Sequence, residues 1–177
     1  MINWPNRITL LRILLIPFFV GGLIYGHLDR ALWIFILAVL TDAVDGYLAR
    51  SRSQQTTLGS FLDPLADKLL LTTAFITLAV IGHLPIRLPP WVPLVVISRD
   101  IMIVIGATLI QMNTGRLDIR PSIWGKLTTF LQMATIIGIL TGFEGVRILW
   151  WVMIATTIIS GWNYIQQGMQ ILTANNK

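Results

Sequence analysis

Apolar stretches long enough to cross a bilayer recur along nearly the whole of this chain of 177 residues. They lie at about 8–26, 31–50, 62–82, 90–112, 123–141 and 147–170, and a helical span needs only ~20 such residues. Hydrophobic residues make up 55% of the sequence and charged ones 12%, which excludes an ordinary water-soluble domain. The expected fold is therefore all-α: a polytopic membrane protein, a bundle of six transmembrane helices with a short N-terminal juxtamembrane segment. The connections are short and no linker or internal repeat stands out, so residues 1–177 read as a single integral membrane domain.

Against this background four carboxylates are conspicuous: Asp42 with Asp45, and Asp63 with Asp67. A charge at the centre of a spanning helix costs roughly 2.5–3.5 kcal/mol on insertion scales. Like charges brought together also repel, and without a cation some would take up protons. A divalent metal answers both problems. The spacings i, i+3 and i, i+4 put each pair on one helix face. Gly46, Ala49 and Gly59 leave bare backbone beside the carboxylates, where a ligand can come close. Arg50 supplies a planar donor suited to phosphate oxygens. Hard oxygen donors without cysteine favour Mg²⁺ or Mn²⁺ over zinc or copper. Asp42, Asp45, Asp63 and Asp67 thus read as metal ligands at a phosphate-handling site.

At these residues the chain resembles a known family, the CDP-alcohol phosphotransferases (CDP-alcohol phosphatidyltransferases). The family signature, D-x2-D-G-x2-A-R-x8-G-x3-D-x3-D, is met at every fixed position by Asp42, Asp45, Gly46, Ala49, Arg50, Gly59, Asp63 and Asp67. The resemblance implies a transferase of phospholipid biosynthesis that moves a phosphatidyl group from CDP-diacylglycerol to an alcohol and releases CMP. It implies that the CDP moiety lies against Gly46, Ala49, Arg50 and Gly59, and that the motif joins the second and third transmembrane helices. It also implies two metal ions and gives the last aspartate, Asp67, the part of general base as well as metal ligand.

The net charge of +5 does not point to nucleic acid, because basic and aromatic residues are not interleaved on a polar face. It follows the positive-inside pattern instead. Arg7, Arg12, Arg50, Arg52, Lys68, Arg116, Arg120, Lys126 and Lys177 fall at one set of span ends, and Arg30, Arg87 and Arg147 at the other. Both termini and the aspartates are then expected on the cytoplasmic side of a bacterial inner membrane. The first apolar run lacks a clear cleavage site and reads as an uncleaved span. The absence of cysteine removes a disulfide framework, a thiol nucleophile and a Cys-ligated zinc site.

Ser98-Arg99-Asp100 interrupts the fourth apolar stretch, and such a pair normally faces a bundle interior or a polar cavity. Arg99 is expected either to hold a phosphate of the acceptor alcohol or to orient an aspartate; the plain alternative is an Arg99–Asp100 pair that locks helices together. Arg116, Arg120 and Lys126 are further candidates for the acceptor pocket. Trp33, Trp91, Trp150 and Trp151 are expected in an interfacial aromatic belt, and His27 and His83 in loops on the opposite side from the aspartates.

The acceptor is the open question. Pro5-Asn6-Arg7-Ile8-Thr9-Leu10-Leu11-Arg12 and the stretch FLDPLADK are similar to bacterial phosphatidylglycerophosphate synthases, whose acceptor is glycerol 3-phosphate. Asp100 and Thr128 depart from that subgroup, where a glutamate and a second lysine are expected. Both departures lean towards CDP-diacylglycerol-dependent cardiolipin synthases, which use phosphatidylglycerol. The glycerol 3-phosphate reaction is the favoured expectation and cardiolipin synthesis the alternative, with a homodimer left open. A small ion or proton transporter is a distant third, since the aspartates cluster at one membrane end and no inverted repeat accompanies them.

Overall fold

A computed structural model describes residues 4–52, 57–114 and 122–175, with side chains described for 9–41, 65–110, 112, 122–171 and 173. Six helices follow one another: α1 (Trp4–Ile24), α2 (Leu28–Arg52), α3 (Thr57–Val80), α4 (Trp91–Thr114), α5 (Ile123–Leu140) and α6 (Val146–Asn175). No strand occurs among the described residues, and the all-helical expectation holds. The segment from Trp4 is helical and runs straight on into the apolar part of α1.

Three stretches among the described residues are long and apolar enough to cross a membrane: Trp91–Ile110, Ile123–Leu140 and Val146–Ile171. A shorter apolar stretch covers Thr9–Ile24. Helices α2 and α3, at 25 and 24 residues, have the length of a span, but their adjoining ends carry the charged motif. What is buried and what is exposed supports a lipid solvent. Thr9, Arg12, Thr128, Gln132, Thr135, Thr156, Thr157 and Ser160 are buried, whereas Leu94, Ile105, Leu109, Ile148, Val152 and Ile158 are exposed. In water such an apolar exterior would be a liability, whereas lipid covers it without cost. Thr128, Thr135, Thr156 and Thr157 satisfy their hydroxyls on their own helices, as Thr135 does on Leu131 O at 2.7 Å and Thr157 on Met153 O at 2.7 Å.

The chain divides into two compact units. The first holds α1, α2, α3, the following connection to Leu88, and Ile136–Phe143. Here α1 packs along both α2 and α3. Phe19, Leu23, Ala31 and Phe35 are fully buried, and the rings of Phe19 and Phe35 lie 5.6 Å apart. A β-carbon on Gly22 would lie 3.3 Å from that of Ala31, so the glycine lets α1 and α2 approach closely. Gly26, at φ +75°, reverses the chain between them. His27 N–H reaches Gly22 O at 2.8 Å and Gly26 N–H reaches Leu23 O at 3.1 Å, which closes α1 with a left-handed glycine cap. Gly142, at φ +69°, closes α5 in the same way. After α3, His83 Nε2 lies 3.1 Å from Leu23 O and ties the connection to the end of α1. His27 and His83 both stand outside the helices, as expected.

The second unit holds α4, α5 as far as Thr135, and α6. Helices α4 and α6 meet through small residues. A β-carbon on Gly106 would stand 3.1 Å from the Tyr164 ring, one on Gly161 3.1 Å from Met102 Cε, and one on Gly168 3.2 Å from Ile110 Cδ1. Such close approach is how membrane helices gain packing energy without a hydrophobic drive. Trp91 and Trp151 pack at 5.4 Å and are exposed, as is Trp33. Trp150 departs from the expected belt: it is only 7% exposed, because the helical register turns it inward from its neighbour Trp151.

Candidate active site

The signature is laid out on two helices of the first unit. Asp42, Asp45, Gly46, Ala49 and Arg50 all lie on α2, which stays helical to Arg52. Asp42 and Gly46, then Asp45 and Ala49, are each one helical turn apart, so bare backbone follows each carboxylate position on the same face. Gly59, Asp63 and Asp67 repeat every fourth residue of α3 and share one of its faces.

One expectation changes here. The second apolar stretch ends at about 50 and the third begins at about 62, yet α2 continues to Arg52 and α3 already starts at Thr57. Gly59 is therefore a helical position one turn before Asp63. The polar residues Thr57, Gly59 and Ser60 look like loop in sequence, but the i, i+4 motif continues through them on a helix.

Of the four aspartates, only Asp67 has a described side chain; those of Asp42, Asp45 and Asp63, like those of Gly46, Ala49, Arg50 and Gly59, lie outside the described set. Among the described residues no three metal-ligating side chains gather. The Asp67 side chain is 33% exposed and accepts a hydrogen bond through Oδ1 from Nη1 of Arg12 on α1. The Arg12 side chain, in contrast, is 1% exposed. Arg12 had been counted only as a charge at a span end. The signal that could have found it is its place inside Leu10-Leu11-Arg12-Ile13-Leu14, because a guanidinium in such a run requires a partner.

In the second unit, Arg99 Nη1 bonds Asp100 Oδ1 at 2.8 Å, and Nη2 donates to the Ser160 hydroxyl on α6. These contacts are those of the plain alternative, in which the Arg99–Asp100 pair ties helices together. The guanidinium also reaches the start of α5, where a β-carbon on Gly125 would come within 3.2 Å of Arg99 Nη2. Ser122 caps that helix by accepting from Gly125 N–H at 3.1 Å. Lys126, the next residue, is exposed. Arg99 and the first turn of α5 are thus brought together, while Arg116 and Arg120 lie outside the described residues.

Comparison with known proteins agrees with the motif. The family model described as CDP-alcohol phosphatidyltransferase matches residues 2–162. The chain is 35% identical to the CDP-diacylglycerol–glycerol-3-phosphate 3-phosphatidyltransferase of Bacillus subtilis, over 99% of this chain and 100% of that protein. It is 38% identical to a probable phosphatidylglycerophosphate synthase of Mycobacterium tuberculosis, over 76% of this chain and 64% of the relative. A CDP-diacylglycerol–glycerol-3-phosphate 3-phosphatidyltransferase of Haemophilus influenzae is 36% identical over 78% of this chain and 75% of its own. With the complete signature carried on α2 and α3 and a family match over nearly its whole length, the chain belongs to the CDP-alcohol phosphatidyltransferase family.

Proposed function

We propose that this protein transfers the phosphatidyl group of CDP-diacylglycerol to glycerol 3-phosphate, forming phosphatidylglycerophosphate and CMP. The observation that carries this reading is the end-to-end similarity to the Bacillus subtilis enzyme of that name. The acceptor hydroxyl oxygen bonds to the phosphatidyl phosphorus, the bond from that phosphorus to the CMP oxygen breaks, and the hydroxyl proton passes to Asp67. A partly exposed carboxylate suits that task, since the acceptor can reach it.

Members of this family use divalent metal ions. The donor set fits such an ion: four carboxylates, paired one turn apart on α2 and α3, in a chain without cysteine. Asp42, Asp45, Asp63 and Asp67 would hold two ions, Mg²⁺ or Mn²⁺. Divalent ions held there would supply positive charge to neutralise the pyrophosphate and polarise the phosphorus. Gly46, Ala49 and Gly59 leave space for the cytidine nucleotide, and Arg50 steadies its phosphates. Arg99 and Lys126, with Arg116 and Arg120, bind the phosphate of the acceptor. The distribution of lysine and arginine supports a site open to the cytoplasm at a bacterial inner membrane.

The test is CMP release by the purified protein with CDP-diacylglycerol, Mg²⁺ or Mn²⁺, and either glycerol 3-phosphate or phosphatidylglycerol as acceptor. Preference for glycerol 3-phosphate, with phosphatidylglycerophosphate as product, is the expected result. Preference for phosphatidylglycerol would assign the protein to cardiolipin synthesis.

A further inference from the structure

Arg12 is among the largest fully buried side chains of the described residues, and it is a guanidinium on an apolar helix. Thr9, one turn earlier, is also fully buried, so a polar edge of α1 faces into the first unit. The contact from Arg12 crosses to Asp67 on α3, the last aspartate of the signature. The pair is asymmetric. Its cationic end is enclosed by the core, and its carboxylate end keeps a third of its surface open, at 33%. A buried ion pair contributes little net stability compared with apolar side chains of the same volume. Stability therefore does not account for an arginine at this position, whereas orientation of one particular carboxylate does.

We infer that Arg12 is a positioning residue for Asp67. Its guanidinium, fixed in place by the packing of α1 along α2 and α3, holds the carboxylate in a single rotamer so that its open side meets the acceptor hydroxyl. The cap at Gly26 and the His83–Leu23 contact hold the far end of α1, so the arginine is a fixed anchor. The rigid, planar guanidinium sets the direction of the Nη1–Oδ1 bond, whereas a lysine keeps the charge on a flexible stem with rotatable donors. This inference rests on the transfer reaction proposed above.

The test compares wild type, Arg12→Lys, Arg12→Gln, Asp67→Asn and the double variant Arg12→Gln/Asp67→Asn. Each purified protein is assayed for CMP release and for thermal unfolding in detergent. Both Arg12 variants are expected to lower kcat roughly ten- to hundredfold, as misplacement of a reacting group does. The KM for CDP-diacylglycerol should stay within about twofold, since ground-state binding is untouched. In the Asp67→Asn background the Arg12→Gln change should cost nothing further, because the group it positions is already gone. Losses that multiply in the double variant, or a kcat within about twofold of wild type in folded Arg12 variants, would reduce Arg12 to a helix brace. If Arg12→Gln does not fold, Arg12→Lys decides: an unchanged kcat overturns the assignment, as does a loss confined to KM. Wild-type protein that releases no CMP overturns the reaction itself, and the assignment falls with it. Normal wild-type turnover beside unaffected Arg12 variants overturns the assignment alone.

Discussion

Arg99 on α4 donates through Nη2 to the hydroxyl of Ser160 on α6, while its Nη1 holds Asp100 at 2.8 Å. One cation thus serves its own helix and a neighbour, at a level where a β-carbon on Gly161 would stand 3.7 Å from Arg99 Cγ. Ser160→Ala removes the acceptor on α6. Interhelical hydrogen bonds in membrane proteins contribute about 0.6 kcal/mol on average and up to about 1.7. A loss of about 1 kcal/mol is expected, measured by SDS titration in mixed micelles, and an unchanged midpoint would show that the bond is no brace.

Arg99→Gln and Lys126→Gln test the acceptor pocket. Charge-assisted contacts contribute about 1.5–3 kcal/mol, so the KM for glycerol 3-phosphate should rise roughly ten- to hundredfold. The KM for CDP-diacylglycerol should rise far less. Efficient use of an uncharged acceptor, unaffected by either change, would remove the pocket from the mechanism.

Metal dependence follows from the aspartates. Asp42→Asn, Asp45→Asn and Asp63→Asn keep side-chain size and remove charge, and each should cut turnover by orders of magnitude. Excess EDTA should abolish CMP release, and Mg²⁺ or Mn²⁺ should restore it. Full activity in EDTA would falsify a metal-dependent site.

Asp67→Asn addresses proton transfer. A general base contributes roughly 10²–10⁴-fold, and a fall of that size in kcat is expected while CDP still binds with near-normal affinity. Loss of CDP binding together with turnover would make the residue chiefly a metal ligand.

The glycine seam between α4 and α6 gives a stability prediction. A β-carbon at position 161 would stand 3.1 Å from Met102 Cε and 3.7 Å from Arg99 Cγ. The methionine tip can move aside, so Gly161→Ala should be tolerated. Gly161→Leu has no such escape and should destabilise by about 1–3 kcal/mol, the usual cost of overpacking. Comparing the unfolding midpoints of the two variants checks this.

The helices and the signature were legible in the sequence because both are local. Long apolar runs declare α4, α5 and α6 without reference to anything else, and a motif with set spacing needs only a helix to put Asp42 beside Asp45 or Asp63 beside Asp67. The start of α3 was missed for a local reason too, since Thr57, Gly59 and Ser60 have loop-like preferences that the surrounding structure overrides. The Arg99–Asp100 pair could be read from adjacent residues, but tertiary structure alone decided the distant partners of the buried charges. Arg12 and Asp67 are 55 residues apart, and Arg99 and Ser160 are 61 apart. Which side chains meet over such separations depends on how each helix is rotated about its axis and how far it slides along its neighbour. Those quantities come from packing at positions such as Gly22 against Ala31 and Gly106 against Tyr164. The same rotation sends Trp150 inward and Trp151 outward, although the two are adjacent and chemically identical. Composition determined that the chain lives in lipid and the motif determined its chemistry, whereas interhelical packing determined which arginine stands behind the last aspartate.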